Sequence, residues 1–206
     1  MRVAHEKLHR QRKLRHRVPE PVPKNSVWGI DTSCVSDASK AQHIVLGIID
    51  HGTRMNVGLR RLERFNAWAF LSCVFAAIAQ FGKPATIKTD NHQVFRSRLV
   101  KLVLGWFEIR LIHSRPARPW ENGYIERLFG TFKIHLRGYV MQDARHLAQS
   151  LPHFQYWYNA ARPHQHLGGR TPSQAWHDLD PFTSIPKTAH AFSAWEGRLK
   201  GLVLRH

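Results

Sequence analysis

The sequence predicts an α/β protein in which a mixed five-stranded sheet is flanked by helices. Three strand-like segments follow one another early in the chain, and two later strand-like segments alternate with helical ones. Consecutive strands favour antiparallel pairing, whereas alternation with helices favours parallel pairing, so the two patterns together indicate a mixed sheet. The 206 residues suit one domain, and the 43% hydrophobic content excludes a wholly disordered chain.

The first three strands are predicted from apolar runs. Residues 27–32 are apolar except for an aspartate and a threonine, and residues 44–50 form a nearly continuous apolar run. Such a run is typical of a strand that is buried on both faces of a sheet. A turn at 51–53 leads into the weakly alternating residues 55–62, which predict a third strand in a meander with the second.

The rest of the core alternates between helix and strand. Residues 67–81 are apolar nearly all round and are followed by Gly82 and Pro84, which predicts a buried helix that stops there. Trp68 and Leu102 lie in apolar stretches, and we expect both to face the core. The remaining predicted elements are, in order, a strand at 85–90, helix at 94–107, strand at 109–113, loop at 114–120, and helices at 122–139 and 147–159.

The charge balance points to a polyanionic partner. The chain carries 31 Lys and Arg against 14 Asp and Glu, a formal net charge of +17. Nucleic acid is the commonest partner of such a surface, and an anionic membrane is the second. We expect no membrane insertion, because the longest uncharged run, residues 65–82, contains Asn66, Ser72 and Gln80 and is better explained as a buried helix.

The chain begins with a basic segment. Residues 1–24 hold eight Lys or Arg and two Glu, and three prolines at 19, 21 and 23 separate them from the first strand. This segment is either a solvated tail or an arm that lies along phosphates, and the two interpretations are compatible. The two cysteines are widely separated, so a disulfide framework is not expected and a reducing compartment fits better.

Three carboxylates stand out because acidic residues are scarce. Asp31 lies inside an apolar strand, Asp90 closes the fourth strand, and Glu126 lies early in a helix on a face shared with Lys133. Three carboxylates from such elements can converge to bind divalent cations. Mg²⁺ and Mn²⁺ are the expected ions, because both prefer oxygen ligands. Each also has an ordinary explanation, since Asp often caps a turn and Glu often offsets a helix dipole.

The spacing and surroundings of these carboxylates resemble a known family. Asp90 and Glu126 are separated by 35 residues, and Asp31 precedes Asp90 by 58 intervening residues. This resembles the Asp, Asp, 35, Glu signature of retroviral integrases and insertion-sequence transposases. Further segments that resemble the family are Trp28-Gly-Ile-Asp-Thr32, Lys88-Thr-Asp-Asn91, the loop from Ser114 to Glu126, Tyr158-Asn159, Arg162-Pro-His164, Leu167-Gly-Gly169 and Thr171-Pro172.

The resemblance implies a fold, an activity and a domain organisation. It implies an RNase H-like catalytic core at 26–176, preceded by a basic arm at 1–25 and followed by an extension at 177–206. The implied activity is metal-dependent DNA strand cleavage and transfer in DNA integration and transposition. Asp31, Asp90 and Glu126 would be the catalytic residues and would bind two Mg²⁺ or Mn²⁺ ions.

The resemblance also implies partners. These are transposon ends and target DNA, a further copy of the chain, and a separate helix-turn-helix subunit, in a bacterial cytoplasm near the nucleoid. The chain departs from the family at His92, which stands where a glycine is common and could crowd the metal site. A non-catalytic DNA-binding remnant and an RNase H-like nuclease remain as alternatives. The residues expected to contact DNA are Lys133, Arg127, Arg115, Arg118, Asn122 and Trp120.

Overall fold

A central mixed sheet organises the molecule. The computed structural model describes residues 22–114, 122–183 and 186–205. Its main sheet has the order β3-β2-β1-β4-β5, with antiparallel β1–β2 and β2–β3 pairs and parallel β1–β4 and β4–β5 pairs. The predicted mixed five-stranded sheet is therefore confirmed. The strands are β1 (Val27–Ser36), β2 (Gln42–Asp50), β3 (Asn56–Leu62), β4 (Thr86–Thr89) and β5 (Arg110–His113).

Helices cover both faces of this sheet. Helices α1 (Ala67–Phe81) and α2 (Arg98–Trp106) share one core cluster with one set of alternating strand residues. Helices α3 (Gly123–Leu136) and α4 (Ala144–Tyr156) share the second cluster with the other set. Because successive side chains of a strand point to opposite faces, the sheet is buried on both sides, as its apolar runs predict.

The helix boundaries have local causes. Helix α1 has its predicted bounds, since the Asn66 side chain accepts a hydrogen bond from the Ala69 N–H and Gly82 ends the helix at φ 85°. Helix α2 begins four residues later than predicted, because Ser97 caps it by accepting from the Val100 N–H. Residues 92–97 form turns instead, held by a bond from the Phe95 N–H to the His92 carbonyl.

Two residues expected in the core lie on the surface. The exposed fraction is 50% for Leu102 and 70% for Trp68. In α2 the buried residues are Val100 and Leu104, and Leu102, two positions from each, lies on the opposite side of the helix. Trp68 likewise lies opposite the buried stripe of α1. The prediction that both face the core is wrong, because apolar character alone does not identify the buried side of a helix.

The chain after α4 packs back on the core. Helix α4 continues into a π-helical turn at Trp157–Ala161, and α5 (Pro172–Trp176) follows. An antiparallel hairpin of β6 (Thr188–Ala194) and β7 (Leu199–Arg205) then joins the second core cluster through Trp195, Leu199 and Val203. Among the described residues, no helix is long and apolar enough to cross a lipid bilayer.

Candidate active site on the central sheet

Asp31 lies in the middle of β1, on the side of the sheet that α3 covers. It is paired across the strands with Gly47, and a methyl group built on Gly47 would lie 2.9 Å from the Phe129 ring of α3. Directly paired residues of antiparallel strands project to the same face, so the Asp31 side chain also points towards α3. One Asp31 carboxylate oxygen accepts a hydrogen bond of 2.7 Å from the Thr32 N–H.

Asp90 follows the last residue of β4, the strand beside β1. Its Oδ1 accepts a 2.9 Å hydrogen bond from the His92 N–H, so Asp90 caps a turn as well as closing the strand. The His92 ring packs against Phe65, with centroids 4.7 Å apart. Asp90 is half-buried.

A short hydrogen-bond chain connects the Asp90 turn to the beginning of α3. The Asn91 Nδ2 donates to the Ser114 carbonyl at 2.7 Å, and the Ser114 hydroxyl donates to Oδ1 of Asn122, the residue before α3. Asn91 is next to Asp90, and Glu126 lies in the first turn of α3. The ends of β4 and β5 and the beginning of α3 are therefore connected by side chains that sit beside two of the three candidate catalytic acids.

Electrostatics connects all three carboxylates. The pKa of Asp31 is raised to about 6, first because burial disfavours its charge. The Thr32 hydrogen bond lowers this pKa, the negative charges of Asp90 and Glu126 raise it, and the positive charge of Lys133 lowers it. Negative charge at Asp31 is thus unfavourable unless a cation offsets it. The chemistry of the site fits a divalent cation with oxygen ligands.

The carboxylates are not arranged around one centre. Among the described residues, no group of three or more His, Cys, Asp or Glu side chains is placed to hold a metal ion. Because like charges repel, the three carboxylates are expected to converge only on a bound cation. The donor set therefore fits a hard cation by its chemistry and by the electrostatics of Asp31.

Of the six residues expected to contact DNA, three lie in the described part of the chain. Lys133 and Arg127 are exposed on α3, Lys133 on the face of Glu126 and Arg127 beside it. Asn122 is half-buried and accepts the Ser114 hydrogen bond. Arg115, Arg118 and Trp120 lie outside the described residues.

A contact that sequence reasoning missed holds the first turn of α3. The Tyr124 ring meets His51 edge to face, with centroids 4.6 Å apart, and the Arg54 guanidinium lies 3.6 Å from the Tyr124 centroid. Arg54 Nη1 also donates to the His51 carbonyl. Gly29 makes room for His51, because a methyl group there would lie 2.6 Å from its Nε2. The only sequence signal was the predicted turn at 51–53.

Comparison with known proteins agrees with this fold. Two family profiles, each described as an integrase core domain, match residues 22–119 and 107–172. A protein of insertion element IS476 from Xanthomonas euvesicatoria, described as an uncharacterized 39.2 kDa protein, is 26% identical over 155 residues. The match covers 73% of this chain and 44% of that protein, so the chain spans less than half of its relative's length.

Solved structures of retroviral integrases share the architecture. The HTLV-2 integrase catalytic core domain in complex with magnesium has a TM-score of 0.63 at 19% identity, covering 77% of this chain and 99% of that one. The integrase in a simian T-cell lymphotropic virus intasome bound to PP2A regulatory subunit B56 gamma has a TM-score of 0.67 at 20% identity. That match covers 90% of this chain and 68% of the other.

The sheet order and flanking helices are those of an RNase H-like integrase catalytic core. The two profiles together extend over residues 22–172, which include all three candidate catalytic carboxylates. The chain belongs to the integrase core domain family, and an insertion-element protein is among its relatives.

Proposed function

We propose that this chain is the catalytic core of a DNA transposase that cleaves DNA strands and transfers them to a target. The observation that carries the proposal is the position of Asp31, half-buried on the α3 side of the sheet within an integrase core, where burial and then the charges of Asp90 and Glu126 raise its pKa. Three acids from two strand positions and one helix share one electrostatic site, which is the arrangement that divalent cations stabilise.

Asp31, Asp90 and Glu126 would hold two Mg²⁺ or Mn²⁺ ions. When bound, such a pair activates the attacking oxygen of water or of a 3′-hydroxyl and stabilises the leaving oxygen of the phosphodiester. The Asn91–Ser114–Asn122 chain orients Asp90 and the first turn of α3 relative to each other. Through this chain the beginning of α3, and Glu126 with it, would be kept on the side of the Asp90 turn when a cation draws the carboxylates together.

Basic side chains position the DNA. Lys133 and Arg127 are exposed on α3, and we expect them to contact phosphates together with Asn122 and with Arg115, Arg118 and Trp120. Phosphate contacts place a duplex without reading its sequence. We expect transposon ends and target DNA as partners, a further copy of the chain because two DNA ends must be joined, and a separate helix-turn-helix subunit for end recognition.

A nicking and strand-transfer assay tests the proposal. Purified chain is incubated with labelled duplex DNA and Mn²⁺ or Mg²⁺, and Asp90→Asn is expected to abolish both reactions while leaving the fold intact. Asp178→Asn is the matched control, because Asp178 is exposed and its backbone φ of 54° is one that asparagine adopts readily. Full activity of Asp90→Asn would refute the assignment.

Two further measurements separate the alternatives. If the wild-type chain binds duplex DNA but never cuts it with either metal, the chain is a non-catalytic DNA-binding remnant. If it cuts RNA–DNA hybrids in preference to duplex DNA, it is an RNase H-like nuclease. Preferential cutting and joining of duplex DNA supports the transposase.

A further inference from the structure

We infer that Arg54, Arg127 and Arg162 form a second phosphate-binding site for duplex DNA, on the flank of α3 that carries Tyr124. We call these residues the three-arginine cluster. The inference rests on the proposed function, since it supplies that DNA with a backbone contact beside the carboxylates. The cluster draws on three elements: the turn after β2, the N-terminal half of α3 and the segment after the π-helical turn.

Arg54 is held in place with an unused donor. Its guanidinium stacks over Tyr124 at 3.6 Å, and its Nη1 donates to the His51 carbonyl. Its Nε is buried and has no hydrogen-bond partner within the described residues. Its backbone φ is 63°, a conformation that non-glycine residues rarely adopt. Because this Nε is enclosed by protein, a DNA phosphate would meet the Nη groups of Arg54, whose charge is not offset by an ion pair among the described residues.

Arg162 is fixed by a neutral histidine. Its Nη1 lies 3.0 Å from His164 Nε2, and its guanidinium carbon lies 5.7 Å from the Tyr158 centroid. The Tyr158 and His164 rings meet edge to face at 4.8 Å. The pKa of His164 is lowered to about 3, chiefly by burial and then by Arg162, so this imidazole is uncharged and can accept a hydrogen bond. Arg162 therefore keeps its charge while its partner among residues 22–114, 122–183 and 186–205 is an imidazole rather than a carboxylate.

Backbone and side-chain contacts bring the three guanidinium groups together. The Asn56 N–H donates to Asn159 Oδ1 at 2.8 Å, and Asn159 Nδ2 donates to the Asn56 carbonyl at 2.8 Å. These two bonds attach the segment that follows Arg54 to the turn that contains Tyr158. Arg127 lies three residues after Tyr124, the ring under Arg54, and so shares its side of α3.

The pKa of Tyr158 provides independent support for this convergence. Burial raises it to about 12, and Arg162, Arg54 and Arg127 each lower it. The same three arginines also lower the pKa of His164. The three guanidinium charges therefore act on the same tyrosine, Tyr158, and the same histidine, His164.

Within the described part of the chain, no carboxylate forms an ion pair with the cluster. Three ion pairs occur among the described residues, His43–Asp37, Arg61–Glu63 and Lys83–Glu108, and none involves the cluster. Three guanidinium groups without a carboxylate repel one another, so an anion between them is stabilised. Guanidinium groups bind phosphate oxygens in a bidentate manner, which suits a DNA phosphodiester. Arg127 is next to Glu126, so one duplex can reach both sites.

The salt dependence of DNA binding tests the cluster. Affinity of the full chain for a labelled duplex is measured by fluorescence anisotropy at several NaCl concentrations in EDTA. Arg127→Gln and Arg162→Gln are each expected to reduce the slope of log K against log salt by about 0.9, the value for one phosphate contact. Arg162→Lys is expected to keep most of the slope, since it retains the charge.

The control is Arg110→Gln, an exposed arginine at the start of β5, at the end of the parallel strands away from Asp90. It should keep the wild-type slope. The inference is overturned if Arg162→Gln keeps that slope, whatever the result for Arg127→Gln, or if Arg110→Gln reduces it equally. Arg54→Gln also removes the stacking on Tyr124 and can therefore disturb the fold. The slope of log K against log salt for this variant is used only if its thermal melting curve matches that of the wild type. Because the assay contains no metal, its result is independent of whether the chain cleaves DNA.

Discussion

Replacing Gly47 by alanine is expected to destabilise the protein and to slow DNA cleavage, because a methyl group at this position would collide with α3. The added Cβ would lie 2.9 Å from the Phe129 ring and 3.2 Å from Cδ1 of Ile125. Both side chains are buried in the second core cluster, at 5% and 1% exposure, so neither has free space to turn into. We therefore expect Phe129 and Ile125, and the part of α3 that carries them, to move away from the sheet.

The size of the effect follows from these distances. Carbon atoms pack best at about 3.5–4.0 Å, so α3 must shift by roughly 0.6 Å or more to relieve the contact with Phe129. Overpacking of this kind costs about 1–3 kcal/mol of unfolding free energy. The same shift separates Glu126 from Asp31, which is paired with Gly47. Since a misplacement of about 1 Å can cost roughly 10²-fold in rate, we expect cleavage to fall by about 10-fold or more.

Two measurements check this prediction. Urea unfolding gives the change in unfolding free energy, and the nicking assay gives the rate at saturating DNA and metal. The control is Gly105→Ala in α2, where a methyl group would meet nothing within 4 Å. It should keep wild-type activity and gain about 0.5–1 kcal/mol, because alanine is the better helix former. If Gly47→Ala is as stable and as active as Gly105→Ala, the account of how α3 approaches β1 and β2 is wrong.

Three further outcomes follow from the site. Asp31→Asn should raise the free energy of unfolding in EDTA at pH 7.5 by about 1–3 kcal/mol, since the carboxyl it replaces has a pKa of about 6 folded against 3.8 unfolded. This gain should vanish as pH falls through that window, and added Mg²⁺ should raise the melting temperature of wild type but not of the variant. The folded pKa values of His51 and His164 are both lowered to about 3, so the unfolded chain binds protons first below pH 6.5. Unfolding free energy should therefore fall as pH drops from 6.5 towards 3, and His164→Gln should flatten this dependence in urea titrations. Ser114→Ala should lower the free energy of unfolding by about 1 kcal/mol, because Asn122 loses its hydrogen bond to Ser114. Cleavage should fall while DNA affinity is unchanged, since the beginning of α3 is no longer fixed to the Asp90 turn. Cleavage equal to that of the wild type would contradict this link.

Much of the fold could be predicted from local patterns. The apolar run at 44–50, the helix at 67–81 and the succession of strands and helices along the chain all reflect periodicity and turn signals within short windows. The spatial strand order was not predicted, because it depends on pairing between distant strands. The error at Leu102 marks the limit of such patterns, because apolar residues occur on both sides of α2 and only Val100 and Leu104 are buried.

Residue type and spacing singled out Asp31, Asp90 and Glu126, because a carboxylate in an apolar strand is visible without coordinates. The excess of basic residues indicated a polyanionic partner, and the resemblance to integrases and transposases narrowed that partner to DNA. Only the tertiary structure decided what surrounds these carboxylates. The contact of Arg54 with Tyr124, the hydrogen bonds between Asn56 and Asn159, and the chain from Asn91 through Ser114 to Asn122 join residues distant in sequence. Local preferences do not encode such pairs, because their energies depend on how separate elements dock against one another.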